Sequence, residues 1–142
     1  MDINYLVGAI KDFDLKFKRP RIDALEKCFS SVDVSEENWP RLWADGGFFW
    51  KRANEACVYF FFNEAGNLIY IGKAEVLGYR FSAHFSKGSK WIRVVKTVGV
   101  LAVPRDSWFE ILAIEAYLIE QLQPSENKLG KNSRRPLQSR LG

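Results

Sequence analysis

The spacing of apolar residues changes near residue 57 of the 142-residue chain. Before that point, apolar residues recur three and four positions apart, which predicts helices over residues 5–13, 21–29 and 35–43. From Cys57 onwards, short β-branched and aromatic runs alternate with longer amphipathic segments. We therefore expect a mostly helical extension, residues 1–56, followed by a mixed region of strands and helices.

The mixed region is predicted to have the element order β-β-α-β-α. Its first two strands flank the turn sequence NEAGN, in which Gly66 can adopt a positive φ. Asp106 or Ser107 can cap the last helix, and Pro124 prevents its continuation. The predicted elements are strands over residues 57–62, 68–72 and 91–103 and helices over residues 76–85 and 106–122.

Aromatic residues are concentrated just before residue 57. At helical spacing, aromatic residues more often pack in a core than present a platform for base stacking. We therefore expect this cluster to pack rather than to bind nucleic acid. Its members are Trp39, Trp43, Phe48, Phe49 and Trp50.

Composition narrows the class of protein. Hydrophobic residues make up 47% of the chain and charged residues 27%, which is typical of a single globular domain with its own core. Cys28 and Cys57 form no CxxC pair and His84 is the one histidine, which argues against a structural zinc site. The longest apolar run, residues 56–62, is far shorter than a membrane span. We expect a cytoplasmic protein with no membrane partner.

Basic residues are clustered although the net charge is only +4. Residues 73–96 carry six basic side chains against Glu75 alone, and residues 128–142 carry five and no acidic residue. Clustered cations are typical of proteins that bind a polyanion, because each neutralised phosphate releases counterions. The alternative is that these side chains only solvate the surface.

An acidic residue, Glu115, stands on the apolar face of the last predicted helix. A carboxylate among apolar neighbours loses hydration, so an arginine, a proton or a divalent metal must compensate it. Arg80 and His84 are four residues apart on the preceding predicted helix and share one face. A structural ion pair between Arg80 and Glu115 and a metal site are both open on this pattern. The apolar face consists of Trp108, Ile111, Leu112, Leu118, Ile119 and Leu122.

The stretch from Cys57 to Asn127 resembles the GIY-YIG nuclease family. Cys57-Val58-Tyr59 stands in place of the family's first triplet, and Tyr70-Ile71-Gly72 matches the second. The two tyrosines are eleven residues apart, as the family's hairpin requires. The chain departs from the family in carrying Cys57 and Val58 for glycine and isoleucine. The remaining matching positions are Lys73, Arg80, His84, Glu115, Ile119, Pro124 and Asn127.

The resemblance implies an α+β core with a small three-stranded antiparallel sheet flanked by helices. Residues 57–127 would form this nuclease core. Residues 1–56 and the basic C-terminal tail, residues 128–142, lie outside the resemblance, and we expect residues 1–56 to pack on the core. The implied activity is that of a small stand-alone endonuclease, which hydrolyses phosphodiester bonds of DNA by nicking or double-strand cleavage. A palindromic target would favour a homodimer.

The resemblance also implies how the site binds metal and phosphate. Glu115 is expected to hold one Mg²⁺ or Mn²⁺ ion, because hydrated Mg²⁺ suits a site with a single carboxylate. Arg80 is expected to contact the scissile phosphate, with Lys73 adding a point charge. Asn127 is expected either to support the active site or to cap the end of the last helix.

The general base has two alternative assignments, a tyrosine or the histidine. Tyr59 or Tyr70 is preferred, provided that nearby cations depress the pKa of the phenol. On this hypothesis, replacing either tyrosine by Phe abolishes cleavage and spares DNA binding. His84 is the alternative, because imidazole titrates near neutral pH.

Basic residues outside the catalytic set are expected to bind the DNA backbone. An alternative function is a nucleic-acid-binding module that has kept the fold and lost turnover, although the presence of Arg80 and Glu115 favours the enzyme. The predicted nucleic-acid-binding residues are Lys73, Arg80, Lys87, Lys90, Arg93, Lys128, Lys131, Arg134 and Arg135.

Overall fold

An antiparallel sheet of four strands organises residues 1–17, 24–85, 89–103 and 108–127, the part of the chain that the computed structural model describes. The strands are β1 (Phe29–Asp33), β2 (Cys57–Phe62), β3 (Leu68–Ala74) and β4 (Thr97–Ala102). The helices are α1 (Ile3–Lys16), α2 (Trp39–Trp43), α3 (Leu77–His84), α4 (Trp91–Val94) and α5 (Glu110–Leu122), with short 3₁₀ turns at Leu25–Cys28 and Trp50–Arg52.

The strands lie in the order β1-β4-β2-β3, so β2 is internal and β3 is an edge strand. In the middle of β2, Phe60 lies opposite Ile71 of β3 and Gly99 of β4. The turn between β2 and β3 contains Gly66 at φ 82°, and the Gly66 amide donates to the Asn63 carbonyl at 2.9 Å. The hairpin and its positive-φ glycine are confirmed.

Strand β1 was not predicted from the sequence pattern, since a helix was expected over residues 21–29. The helix prediction is wrong from Leu25 onwards, and residues 18–23 lie outside the described part. Two serines and an aspartate leave Phe29–Asp33 without a clear alternation of apolar residues. Its strand conformation depends on antiparallel pairing with β4, which sequence periodicity does not reveal.

The two faces of β2 contact two different halves of the core. Val58, Phe60 and Phe62 face a largely aliphatic cluster with α1 and α5. Tyr59 and Phe61 face an aromatic cluster on the other side of the sheet. The two clusters together bury all six residues of β2, so this strand forms the centre of the core.

The aromatic cluster confirms most of the predicted packing before residue 57. Trp39, Trp43, Phe48 and Phe49 lie in or against it. Trp50 differs, because it is 51% exposed, and the packing prediction for this residue is wrong.

Other element boundaries also differ from the sequence predictions. The third strand of the mixed region was expected over residues 91–103, but its first residues form the helical turn α4 and the strand begins at Thr97. The helix expected over residues 35–43 begins at Trp39. The predicted caps of α5, Asp106 and Ser107, lie outside the described residues.

The segment just before β2 forms hydrogen bonds with the first turn of α3. The carbonyls of Ala53 and Glu55 accept hydrogen bonds from the amides of Gly78, at 2.9 Å, and Leu77, at 3.2 Å. These contacts satisfy two amides that have no partner within the helix, and they fix the helix that carries Arg80. No helix among residues 1–17, 24–85, 89–103 and 108–127 is both long and apolar enough to cross a membrane.

Candidate active site

The predicted catalytic side chains that the structure describes meet at the β3 edge of the sheet. Tyr70 and Lys73 are the two partly exposed residues of β3, whose other five residues are buried. Helix α5 packs against one face of the sheet, and α3 packs against the other through Phe81. An edge strand leaves both helices accessible from one side. Lys73 of β3 connects them, because it contacts Glu115 of α5 and lines a cleft together with Arg80 of α3.

Glu115 forms an ion pair with Lys73, and its side chain is 17% exposed. The distance from Lys73 Nζ to Glu115 Oε1 is 3.3 Å. Burial raises the pKa of Glu115 above its ordinary value, while the charges of Lys73 and Arg80 act in the opposite direction. Burying the negative charge of Glu115 therefore costs free energy, and a nearby cation can offset this cost.

The ion pair differs from the sequence hypothesis, which placed Arg80 opposite Glu115. Arg80 is exposed, and its charge lowers the pKa values of Tyr59, Tyr70 and Glu115. The difference arises because Lys73 lies on the edge strand against which α5 packs, whereas Arg80 lies on the helix across the sheet. Arg80 therefore remains accessible to a ligand in the cleft.

The buried face of α5 is narrower than predicted. Ile111, Ile114, Leu118 and Leu122 are buried, and Glu115 lies at the border of this stripe. Trp108 and Leu112 were assigned to the apolar face but are 51% and 61% exposed. Leu112 lies one helical turn before Glu115, and Trp108 lies two turns before it, just ahead of the helix, so both lie on the side of α5 that carries Glu115 and line the cleft.

The two tyrosines are neighbours but have different environments. Tyr59 is buried on β2, its ring centroid is 6.2 Å from that of Tyr70, and their side chains are hydrogen-bonded. This bond raises the pKa of Tyr59 and lowers that of Tyr70, as expected if the Tyr59 hydroxyl donates and the Tyr70 oxygen accepts. Tyr70 is half-buried and is the tyrosine closer to solvent.

Both tyrosines nevertheless have a raised pKa. Desolvation by burial is the largest cause for each of them, and the charge of Glu115 adds to it at Tyr70. Arg80 lowers both values without reversing either shift. Protein cations alone therefore do not provide the depressed phenol pKa that a tyrosine base requires.

Gly72 is required by the position of Tyr59. The two residues lie opposite each other on β2 and β3. A Cβ atom on residue 72 would overlap the phenol of Tyr59, which covers the glycine. The glycine of the second triplet therefore lets the tyrosine of the first triplet lie flat across β3.

Asn127 joins the segment after α5 to the edge of β3. Its side-chain oxygen accepts from the Ile71 amide and its side-chain nitrogen donates to the Ile71 carbonyl, both at 2.7 Å. The Glu126 amide donates to the Ile69 carbonyl at 2.8 Å. Asn127 thus provides hydrogen-bond partners for the open edge of β3 at Ile71, between Tyr70 and Lys73. It is therefore a residue that positions Tyr70 and Lys73.

The remaining predicted residues lie further out or outside the described residues. Lys90 pairs with Glu126 at 3.5 Å and lies 4.6 Å from the Trp91 ring centroid, while Arg93 is exposed on α4. His84 is the last residue of α3, and the prediction for its side chain lies outside what the structure describes. Five predicted DNA-binding residues also lie outside it, namely Lys87, Lys128, Lys131, Arg134 and Arg135.

Sequence reasoning missed several residues of the cleft. The cleft has a volume of about 530 Å³ and contains Lys73 and Arg80, but Tyr79, Trp108 and Leu112 also line it. The sequence does contain one relevant signal, the Trp108-Phe109 pair immediately before α5. Their exposure depends on how α5 packs, so periodicity alone assigned Trp108 to the core.

Comparison with known proteins agrees with this geometry. The sequence model of the GIY-YIG catalytic domain family matches residues 55–129 of this chain. The chain is similar to the GIY-YIG N-terminal endonuclease domain of UvrC from Thermotoga maritima, in a structure bound to magnesium as its catalytic divalent cation. The two sequences are 23% identical, and the TM-score is 0.50. The match covers 66% of this chain and 99% of that chain.

A point mutant of the same domain, also bound to its catalytic divalent cation, matches with 23% identity and a TM-score of 0.50. That match covers 66% of this chain and 98% of the other. At this identity the likeness shows the fold. The comparison with curated proteins finds no match.

Proposed function

Because the chain belongs to the GIY-YIG family of nucleases, we propose that it is a metal-dependent DNA endonuclease whose reaction takes place at the β3 edge. The observation that carries the proposal is the convergence of a mostly buried carboxylate, two cations and two linked tyrosines at the β3 edge, beside a cleft that the two cations line. Phosphodiester hydrolysis requires an activated water, neutralisation of charge on the phosphate and stabilisation of the leaving oxygen. The convergent groups suit these tasks.

Glu115 suits a single Mg²⁺ or Mn²⁺ ion. In the described part of the chain, no three His, Cys, Asp or Glu side chains group as a metal cage. Mg²⁺ commonly binds through one or two carboxylates and keeps several waters and substrate phosphates, so one carboxylate is sufficient. The similar UvrC domain holds magnesium as its catalytic cation. A bound divalent cation supplies a Lewis acid for phosphate oxygens and a more acidic water.

Arg80 and Lys73 suit the scissile phosphate. Arg80 is exposed at the cleft, and its planar guanidinium can donate to two phosphate oxygens at once. Lys73 is 40% exposed while it contacts Glu115, so its ammonium reaches both the carboxylate and the cleft. These two side chains bind the phosphate and offset the charge that develops on it.

Tyr70 suits the attacking water better than Tyr59. Tyr70 is nearer to solvent, and its hydrogen bond with Tyr59 lowers its pKa, which favours a phenolate at Tyr70. Glu115 raises the pKa of Tyr70 through its negative charge, so neutralising Glu115 removes one obstacle to that phenolate. In this arrangement Tyr70 orients or deprotonates the water, and Tyr59 positions Tyr70.

Conversion of supercoiled plasmid to nicked and linear forms tests the proposal. We expect conversion with Mg²⁺, none with EDTA, and none for Glu115→Gln, because the amide carries no charge to hold the cation. Glu120→Gln on the exposed side of α5 is the matched control and should keep activity. Conversion by Glu115→Gln at the wild-type rate would remove the metal site from the proposal.

The tyrosine roles have a separate test. Tyr70→Phe should abolish nicking, whereas Tyr59→Phe, which removes only the donor to Tyr70, should slow it less. DNA affinity measured by fluorescence anisotropy in EDTA should be the same for both variants and the wild type. Full nicking activity in Tyr70→Phe would contradict the assignment and leave His84 as the candidate base.

A further inference from the structure

One wall of the cleft beside Arg80 is formed by large side chains that face water. We call Tyr79, Trp108 and Leu112 the aromatic wall; they are 81%, 51% and 61% exposed and line the same cleft as Lys73 and Arg80. Large apolar side chains cluster on a protein surface mainly where they bind something. The wall borders the catalytic residues, so its ligand is expected to be part of the substrate.

Exposed aromatic residues are concentrated at this position. Six aromatic side chains are at least half exposed in the described part of the chain, and three of them, Tyr79, Trp108 and Phe109, line the cleft. A fourth, Trp50, lines an adjoining groove of about 570 Å³ that shares Trp108 with the cleft. The site therefore continues along the surface from Arg80 to Trp50.

We propose that the aromatic wall stacks unpaired bases next to the scissile phosphate, so that the substrate is DNA with a single-stranded or unstacked segment. The inference rests on the proposed endonuclease function and adds the class of substrate. In a continuous duplex the face of each base is covered by its neighbours, whereas an unpaired base offers its face to an aromatic ring. Trp108 and Tyr79 are placed to use such a face.

The charges along the cleft fix the orientation of the strand. Lys73 and Arg80 attract phosphates at the catalytic end. Glu75 lines both the cleft and the adjoining groove, and Glu55 and Lys51 also line the groove, so carboxylates that repel the backbone outnumber the cation away from the catalytic end. A carboxylate can instead accept a hydrogen bond from the amino group of a base. The strand therefore binds with its phosphates towards the cations and its bases towards the aromatic wall.

Affinity for matched DNA substrates tests the inference. Fluorescence anisotropy in EDTA compares a fully paired duplex with the same duplex carrying a single-stranded flap. We expect the wild type to prefer the flap, and Trp108→Ala to weaken flap binding by about 5- to 100-fold, the usual effect of losing one stacked base. Tyr5→Ala, 62% exposed on α1 and outside both grooves, is the matched control and should leave affinity unchanged.

Salt dependence separates stacking from charge. Trp108→Ala removes no charge, so the slope of log affinity against log salt should equal that of the wild type. Arg80→Ala should reduce that slope. If the slope falls equally in Trp108→Ala, the tryptophan acts through the arrangement of cations and the stacking inference is overturned.

Further variants and a direct cross-linking probe distinguish loss of stacking from misfolding of Trp108→Ala. Tyr79→Ala should weaken flap binding in the same way, and Trp108→Phe should restore it. A flap carrying 5-iodouracil should cross-link under ultraviolet light to Trp108 or Tyr79, located by mass spectrometry. Cross-links confined to other residues would overturn the proposed path of the strand.

The outcomes separate this inference from the proposed function. Wild-type protein that neither binds nor nicks any DNA would overturn both. Wild-type protein that nicks plasmid but binds flap and duplex equally, with no effect of Trp108→Ala, would overturn the inference alone. That result would assign the wall to a protein partner.

Discussion

The two strands of the hairpin, β2 and β3, each carry a tyrosine among mainly apolar residues but have different roles. All six residues of β2 are buried, and its tyrosine, Tyr59, lies in the aromatic cluster. In β3 the two partly exposed residues, Tyr70 and Lys73, are both predicted catalytic residues. Position in the sheet explains the difference, because β2 pairs with a strand on each side, whereas β3 pairs with a strand on one side only.

This comparison shows how a small domain can place a charged site beside a hydrophobic core. On the edge strand, Tyr70 packs against the aromatic cluster, and Lys73 lines the cleft while it contacts Glu115. Its open hydrogen-bonding edge is closed by Asn127. We therefore expect substitutions in β2 to change stability, and substitutions at the β3 site to change activity.

The largest effect is expected for Phe60→Ala in β2. Phe60 is fully buried and packs edge-on against Phe29, with ring centroids 5.8 Å apart. Removing the ring should lower the free energy of unfolding by about 3–5 kcal/mol. Urea denaturation measures this, with Tyr70→Phe in β3 as the comparison. An equal loss in the two variants would refute the distinction between the strands.

Gly72→Ala tests the contact that links the strands. The added methyl group overlaps the Tyr59 phenol, and the cost should lie near the upper end of the usual overpacking range of about 1–3 kcal/mol. Gly8→Ala is a control with the opposite sign, because Gly8 lies within α1 with open space around its Cα. That variant should gain about 0.5–1 kcal/mol. Destabilisation by both variants would point to the backbone rather than to Tyr59.

Asn127→Ala tests how far the edge depends on its closure. The buried Ile71 amide and carbonyl lose their partners, which should cost about 1–3 kcal/mol because a buried donor or acceptor is left unsatisfied. Nicking should fall as well, since Tyr70 and Lys73 flank Ile71. Asn54→Ala, at an exposed position, is the control for unfolding measured by urea. Unchanged stability of Asn127→Ala would show that the two hydrogen bonds contribute nothing net.

The hairpin could be predicted from the sequence because its information is local. β-branched and aromatic residues on each side of NEAGN, with Gly66 at positive φ, determine the strands and the turn without reference to the rest of the chain. The acidic residue at an otherwise apolar helix edge was visible for the same reason. These local patterns correctly indicated that Glu115 needs a cationic partner.

The partner itself could not be predicted, because it depends on the order of the strands. Lys73 contacts Glu115 since β3 is the edge strand beside α5, and no local pattern reports which strand lies at an edge. The same limit applies to β1, which depends on β4, and to Trp108, whose exposure depends on the angle at which α5 packs. Each of these features is set by tertiary contacts between distant segments.

The smallest expected effect concerns the pH dependence of stability at Glu115. Its pKa is higher in the folded than in the unfolded protein because burial disfavours the carboxylate. The folded state therefore binds this proton more tightly, which adds stability below the unfolded pKa of about 4.3. That contribution is lost as pH rises through the folded pKa.

Thermal unfolding between pH 4 and pH 7 measures this contribution as the difference between Glu115→Gln and the wild type. The amide avoids the cost of burying a charge, and the partly exposed Lys73 stays hydrated, so the variant should gain relative stability as pH rises. Glu120→Gln provides the baseline for removing one negative charge from α5. A loss of relative stability with rising pH would mean that Lys73 more than compensates the buried carboxylate. In that case the β3 site would stabilise the fold, as β2 does.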